Sequence, residues 1–214
     1  MRIDRREAIA DAAIAVIARD GVRSLTHRAL DRELELPPGS TSYYLRTRRD
    51  LLAATVDRLA QRTVADLLEP GEQLTVPQAS FSDVGAPSFA TEAIATMSST
   101  LAGLLVHSME SRADDHRARF ALAAELAGDP ELHALVTSQS PIRLRLLTGA
   151  VRALTVLGVA DPEVRAPSLV ALADGILHDR LVGSRVSVKE TRAERLTDVQ
   201  RTLADYLRGA ASSR

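Results

Sequence analysis

Cysteine is absent from this chain of 214 residues. Its absence excludes disulfide frameworks, thiolate-bound zinc or iron–sulfur sites and thiol nucleophiles, and it fits a reducing compartment. Lysine is almost missing too, because Lys189 is the one basic residue of 27 that is not arginine. Aromatic residues make up only 3% of the chain, which argues against a pocket of stacked rings for planar cationic compounds. No stretch reaches the roughly 18 uncharged apolar residues of a membrane span, and Met1 to Asp20 carries charges throughout, with no apolar leader. A cytoplasmic protein without membrane association is expected. What remains is ordinary globular composition, 45% apolar and 26% charged with a formal net charge of -1, enough to bury a sizeable core. That balance hides an asymmetry. Residues 1–62 hold 12 arginines against 9 acidic residues, net +3, while residues 63–214 are net -4. The front of the chain is therefore the part suited to a polyanion.

Apolar residues recur at helical spacing almost everywhere, and no alternating run long enough for a sheet occurs, so the chain reads as all-α. From Arg5 to Asp20 the stripe Ile9, Ala12, Ala13, Val16 and Ile17 predicts a helix that Gly21 ends. Thr26 caps a short second helix through Leu34, with Ala29, Leu30 and Leu34 inward. A turn near Glu35 and Leu36 follows. Pro37 and Pro38 suit the first turn of a third helix that carries Gly39 to Tyr44. A fourth helix runs from Arg49 to about Glu69, buries Leu51, Leu52, Thr55, Val56, Leu59, Leu67 and Leu68, and stops at Pro70-Gly71. Linker composition over 70–87 follows, with Val76, Phe81 and Val84 able to dock. Helical periodicity resumes over 88–110, 114–127, 130–157 with a break at Pro141, 163–182 and 190–207. The expected division is a helix-turn-helix domain over 1–48, a connecting helix over 49–69, a linker or lid over 70–87, and a helical effector-binding and dimerisation domain over 88–214.

A short helix, a tight turn, a second short helix with small hydroxyl residues and then a long apolar helix form a helix-turn-helix, whose second helix enters the DNA major groove. The stretch LTHRALDRELELPPGSTSYYLRTRRDLL, from Leu25 to Leu52, resembles the DNA-binding domain of the tetracycline-repressor family of transcription regulators. Gly21, Thr26, Leu30, Leu36, Gly39, Ser40, Tyr43, Tyr44, Leu45, Arg48, Leu51 and Leu52 carry the resemblance, which covers residues 5 to about 62. Pro37, where the family commonly has Ser, and Ser42, where an aromatic is frequent, depart from the pattern and bear on base preference. Double-stranded DNA is the implied partner. Arg28 is suited to a bidentate pair with guanine or phosphate. Pro38, Gly39, Ser40, Thr41 and Ser42 keep the third helix thin enough to lie deep and hydrogen-bond base edges or phosphates. Tyr43 reaches bases or sugars, and Tyr44 and Thr26 resemble phosphate-anchoring positions. Arg48 and Arg49, with Arg46 nearby, bring charge to the fourth helix's N-terminus, where free backbone N–H groups also attract phosphate. The competing reading packs both tyrosines on the first helix and leaves the arginines as a solvated face.

For the remaining two thirds, the resemblance implies dimerisation and a small-molecule pocket whose occupation changes the spacing of the two recognition helices. Candidate pocket residues are Met97, Thr100, Leu104, His107, Met109, Phe120 and Leu144, each equally suited to ordinary core. The segments after Pro141 and Pro167 are apolar on two faces. Such helices are central in one bundle or face a second copy, and Leu147, Val151, Leu154, Val170, Ala173, Leu177 and Leu181 are the expected dimer contacts. His107, His116, His133 and His178 form none of the HxxxH, HExxH or ExxH patterns of metal sites, so neither metal nor cofactor is expected. No nucleophile elbow or glycine-rich signature marks an enzyme. The expectation is a ligand-responsive, homodimeric DNA-binding regulator, most simply a repressor on a pseudo-palindromic operator. The alternative is a helical-bundle carrier or adaptor with a degenerate helix-turn-helix.

Overall fold

The computed structural model describes residues 4–68 and 87–212, and among them every regular element is helical. The helices are α1 (Arg5–Asp20), α2 (His27–Glu33), α3 (Ser40–Tyr44), α4 (Arg48–Leu68), α5 (Pro87–Ser111), α6 (Ala113–Glu125), α7 (Pro130–Val136), α8 (Pro141–Val156), α9 (Pro162–Leu181) and α10 (Arg192–Ser212). Short 3-10 turns cover Val22–Ser24 and Leu126–Gly128. The linker expected over 70–87, with its docking residues Val76, Phe81 and Val84, lies outside the described residues except for Pro87, which begins α5. The inward side chains expected of Leu67 and Leu68 also lie outside them.

The chain packs as two units, one of residues 1–69 with 112–142 and one of residues 70–111 with 143–214. In the first unit α1 supplies the centre. Its expected stripe is buried, and so are Ala10 and Ile14, because α1 packs on α2, α3 and α4 and also on α6. One apolar cluster joins Ile9, Ile14, Ile17, Leu25, Leu30, Leu45, Leu51 and Val56 to Ala118, Leu122, Leu126, Leu132 and Val136. Bidentate pairing of Arg58 with Asp11, at 2.8 and 2.9 Å, ties α4 to α1 at the rim of that cluster. Packing thus places α6 and α7 with the first four helices, a grouping that no local periodicity reports.

In the second unit α10 lies on α5 and α9, and α5 also meets α9. Met97, Val106, Leu154, Leu169, Val170, Leu177, Leu203 and Leu207 are buried there. Asp198 on α10 gathers Arg185, Arg180 and Arg201. The hydrogen bond from Arg185, reinforced by those from Arg180 and Arg201, holds its carboxyl down at about 2 against the partial burial that opposes it.

One boundary differs from expectation. Helix α3 starts at Ser40 rather than at Pro37 or Pro38, because Gly39 is left-handed (φ 91°) and cannot begin a helix;. The two prolines form the preceding turn, in which Ser40 donates from its N–H (3.1 Å) and its hydroxyl (2.7 Å) to the Pro37 carbonyl. The break expected at Pro141 is present, since α7 ends at Val136 and α8 begins at Pro141.

Leu122, fully buried on α6, is expected to support the helix-turn-helix from far along the chain. Leu122→Ala should cost about 2–5 kcal/mol, read by urea denaturation as earlier loss of the α1–α4 amides from hydrogen-exchange protection. Asp198 gives a pH signature. A carboxyl with a depressed folded pKa contributes stability that is complete above its unfolded value and is lost as pH falls through the folded one. Melting temperature should therefore fall between about pH 4 and the folded value of about 2, and Asp198→Asn should flatten that slope.

Candidate nucleic-acid interface

Helix α2 starts as expected, with the Thr26 Oγ1 accepting the Ala29 N–H at 3.1 Å. Its end is unusual. Leu36 N–H donates to the Asp31 carbonyl at 2.7 Å and Glu35 N–H to the Arg32 carbonyl at 3.2 Å, the paired bonds of a Schellman turn. That turn requires a left-handed residue, and Glu35 supplies it at φ 52° where glycine is the usual occupant;.

The residues after the turn divide sharply. Thr41 is fully buried, its N–H (2.8 Å) and hydroxyl (2.6 Å) both donating to the Asp31 Oδ1, while Gly39 N–H donates to Oδ2 at 2.7 Å. The expected base or phosphate contact from Thr41 is therefore corrected, because its side chain is turned into the protein. Burial pushes the Asp31 carboxyl up, but the bonds from Thr41 and Gly39 outweigh it and hold the group below its ordinary value. His27 Nε2 lies 2.7 Å from the Leu45 carbonyl, just past the other end of α3. Pro38, Gly39 and Ser40 lie on the outer side of the turn, and Ser42 is half-buried, its hydroxyl donating to the Gly39 carbonyl at 2.8 Å.

Tyr43 projects with 79% of its surface exposed and Tyr44 with 39%. Their rings meet edge to face, centroids 5.1 Å apart, so Tyr44 braces Tyr43 and neither is an ordinary core residue. Thr26 and Arg28 are exposed, and so are Arg23, Arg32 and Arg46. None of these four arginines has an ion-pair partner among the described residues. Arg23 and Arg32 were not singled out from the sequence, which shows charge but not which charges are already paired.

Arg48 and Arg49, expected as phosphate contacts, are engaged within the chain while each keeps roughly half of its side chain exposed. Arg48 donates to the Leu25 (2.7 Å) and Val22 (3.0 Å) carbonyls and lies 3.5 Å from Glu125. Arg49 bonds Asp129 (3.0 Å) and Glu131 (2.7 Å), and these bonds, Asp129 first, hold its guanidinium more firmly protonated than usual. The N-terminus of α4 is also occupied by its own capping box, Thr47 N–H to Asp50 Oδ2 at 2.9 Å and Asp50 N–H to Thr47 Oγ1 at 3.0 Å;.

The expected effector residues do not share one unit. Met97 and Met109 are buried in the second unit, Thr100 and Leu104 are half-buried, His107 is exposed and Leu144 is 53% exposed. Phe120 belongs to the first unit, beneath the Arg119 guanidinium at 4.4 Å. Among the expected dimer contacts, Leu154, Val170, Leu177 and Leu181 are buried in their own chain. This is a correction, since two apolar stripes on a helix do not announce which one faces inward. Leu147, Val151 and Ala173 are half-buried, and Leu144, Leu146 and Val164 are the larger apolar residues left exposed on α8 and α9. Among the described residues no three potential ligands come together for a metal ion, and no helix is long and apolar enough to cross a membrane.

This architecture, a short helix pair on an α1–α4 scaffold followed by a helical unit, is shared with solved structures. A transcriptional regulator from Rhodococcus sp. aligns with TM-score 0.67 at 20% identity, over 99% of this chain and 100% of that one. A TetR-family member from Streptomyces coelicolor aligns with TM-score 0.58 at 23% identity, over 92% and 97%. The multidrug binding protein EbrR, solved with ethidium, aligns with TM-score 0.58 at 22% identity, over 97% and 99%. These likenesses concern the fold. No curated protein matches the sequence. Residues 92–210 match the family described as Tetracyclin repressor-like, C-terminal domain, which is more than half of the chain. The protein belongs to the tetracyclin repressor-like (TetR) family of transcription regulators.

Glu35 provides a test of the local geometry. A left-handed non-glycine costs about 1–2 kcal/mol, against about 0.5–1 kcal/mol for the extra freedom of an unfolded glycine. Glu35→Gly should therefore stabilise the chain by about 0.5–1 kcal/mol, seen as a higher denaturation midpoint, and Glu35→Val should lower it.

Proposed function

We propose that this protein is a homodimeric, ligand-responsive transcriptional repressor that binds a pseudo-palindromic operator through α2 and α3. The observation that carries the reading is the exposed set on those helices and their flanks: Arg28, Arg32 and Arg46, without ion pairs among the described residues, beside the projecting Tyr43. Arginine forks suit guanine edges and phosphates, and a tyrosine offers both a stacking face and a hydroxyl. The small residues Gly39, Ser40 and Ser42 let the helix approach the groove, and the free hydroxyl hydrogen of Thr26 suits a phosphate oxygen. Two copies related by a two-fold axis read half-sites roughly one helical turn, or a multiple of it, apart.

Dimerisation uses α8 and α9, where Leu144, Leu146 and Val164 remain exposed, with the half-buried Leu147, Val151 and Ala173 beside them. The effector occupies the second unit and favours the form whose recognition helices are mis-spaced, which shifts the population away from the DNA-competent state. EbrR is a multidrug binding protein solved with ethidium. This chain has three Phe, three Tyr and no Trp, two of the tyrosines lying on α3. That composition supports an aliphatic effector rather than a planar aromatic cation. Action on DNA places the protein in the cytoplasm.

Selection of duplexes from fragmented genomic DNA at two salt concentrations tests this reading. A two-fold symmetric site that survives the higher salt is expected. Arg28→Ala and Tyr43→Ala should each weaken binding to it by roughly fivefold to a hundredfold with melting temperature unchanged, because both side chains are exposed. Recovery of salt-sensitive, sequence-independent DNA alone would contradict the proposal and favour a carrier or adaptor. A monomer that bound as tightly as the dimer would contradict the two-fold scheme.

A further inference from the structure

Helix α3 has five residues, fewer than half of what an isolated helix needs to persist in water. Apolar packing does not supply the deficit within the helix. Its two large side chains, Tyr43 and Tyr44, are exposed, and Thr41 is its one buried residue. Leu45, buried just beyond its end, anchors the exit. What remains is polar. The Asp31 carboxylate accepts three hydrogen bonds at the entry to α3, from Gly39 N–H, Thr41 N–H and the Thr41 hydroxyl. The His27 ring meets the Leu45 carbonyl at the exit, and because a carbonyl only accepts, Nε2 carries the hydrogen. His27 and Asp31 are four residues apart on α2, one helical turn, so both project from one face.

We propose that His27 and Asp31 act together as positioning residues, a two-point clamp by which α2 holds both ends of the recognition helix and sets its orientation for DNA. The inference rests on the operator-binding reading given above. The same helix α2 carries the exposed Arg28 and Arg32, each the next residue after a clamp residue. The clamp therefore fixes Ser40, Ser42 and Tyr43 relative to the arginines that share their groove. Loss of a clamp bond leaves the buried Thr41 or the Leu45 carbonyl without that partner, at one end of a helix with little apolar packing of its own;. The consequence is a recognition helix that frays while the α1–α4 scaffold stays folded. Neither residue touches DNA in this scheme, so the clamp governs selectivity between sequences more than general attraction to phosphate.

Full-length protein and its His27→Ala, His27→Gln, Asp31→Ala and Asp31→Asn variants would be compared in two measurements. The first is amide hydrogen exchange without DNA. The second is the ratio of affinities for a duplex that the unaltered protein selects from a random-sequence library and for a scrambled duplex. Asp31→Ala should speed exchange at Gly39 to Leu45 at least tenfold, leave α1 and α4 protected, and lower the selectivity ratio on the order of tenfold. His27→Ala should do the same with the larger effect at Leu45, and His27→Gln, which keeps an N–H donor at similar reach, should restore most of both. Asp31→Asn keeps an oxygen for Thr41 but sets an amide against Gly39, so it should fall between. Should Asp31→Ala fail to fold, Asp31→Asn and the His27 pair decide. Unchanged α3 exchange and selectivity in the alanine variants, or a His27→Gln as damaged as His27→Ala, would overturn the clamp. If the unaltered protein selects no duplex, the operator reading fails, and exchange at α3 still decides whether the clamp exists.

Discussion

A five-residue helix held by a buried carboxylate on its neighbour is the constraint on which the front of this protein depends. Asp31 occupies a place in the core that an apolar side chain would fill more cheaply, because desolvating a carboxylate is costly unless hydrogen bonds replace the lost water. Three donors from α3 make that replacement. The Schellman turn then brings Leu36 back to the Asp31 carbonyl, so one residue organises the end of α2, the turn and the start of α3. Glu35 accepts a left-handed conformation that its type disfavours because the turn around it is fixed from both sides.

Arginine does two kinds of work here. Arg48, Arg49, Arg58, Arg112 and Arg180 are engaged in carbonyl contacts or carboxylate pairs, often with more than one nitrogen, which the forked guanidinium permits and a lysine ammonium does not match. Arg23, Arg28, Arg32 and Arg46 stay exposed and have no ion pair among the described residues. These four lie on α2 and just outside the ends of α2 and α3. Selecting arginine almost to the exclusion of lysine serves both uses, since the same fork that pairs with a carboxylate pairs with a phosphate or a guanine edge.

Much of the fold was legible in the sequence. The stripe of α1, the Thr26 cap and the breaks at prolines are local signals, and local signals survive folding when packing agrees with them. The Thr26 cap located α2 within a residue, and Pro37 and Pro38 put the start of α3 two or three residues early. What was not legible depends on contacts distant in sequence. Thr41 reads as a small hydroxyl among others, and only the placement of Asp31 ten residues earlier turns it inward. Arg49 reads as free charge until Asp129 and Glu131 arrive from α7. The two apolar stripes of α8 and α9 are equally regular, so periodicity predicted burial without direction, and Leu154, Val170, Leu177 and Leu181 proved to face their own chain. Nor does any run of residues announce that α6 and α7 complete the core of the first unit.

The most direct test of the central claim is where α3 lies on DNA. The absence of cysteine allows one thiol to be placed at will, so Arg46→Cys, beside the end of α3, would carry an iron chelate that cleaves nearby sugars of a bound duplex. The account predicts two cleavage centres related by a two-fold axis, roughly one helical turn or a multiple of it apart. A single centre or diffuse cleavage along the duplex would contradict it.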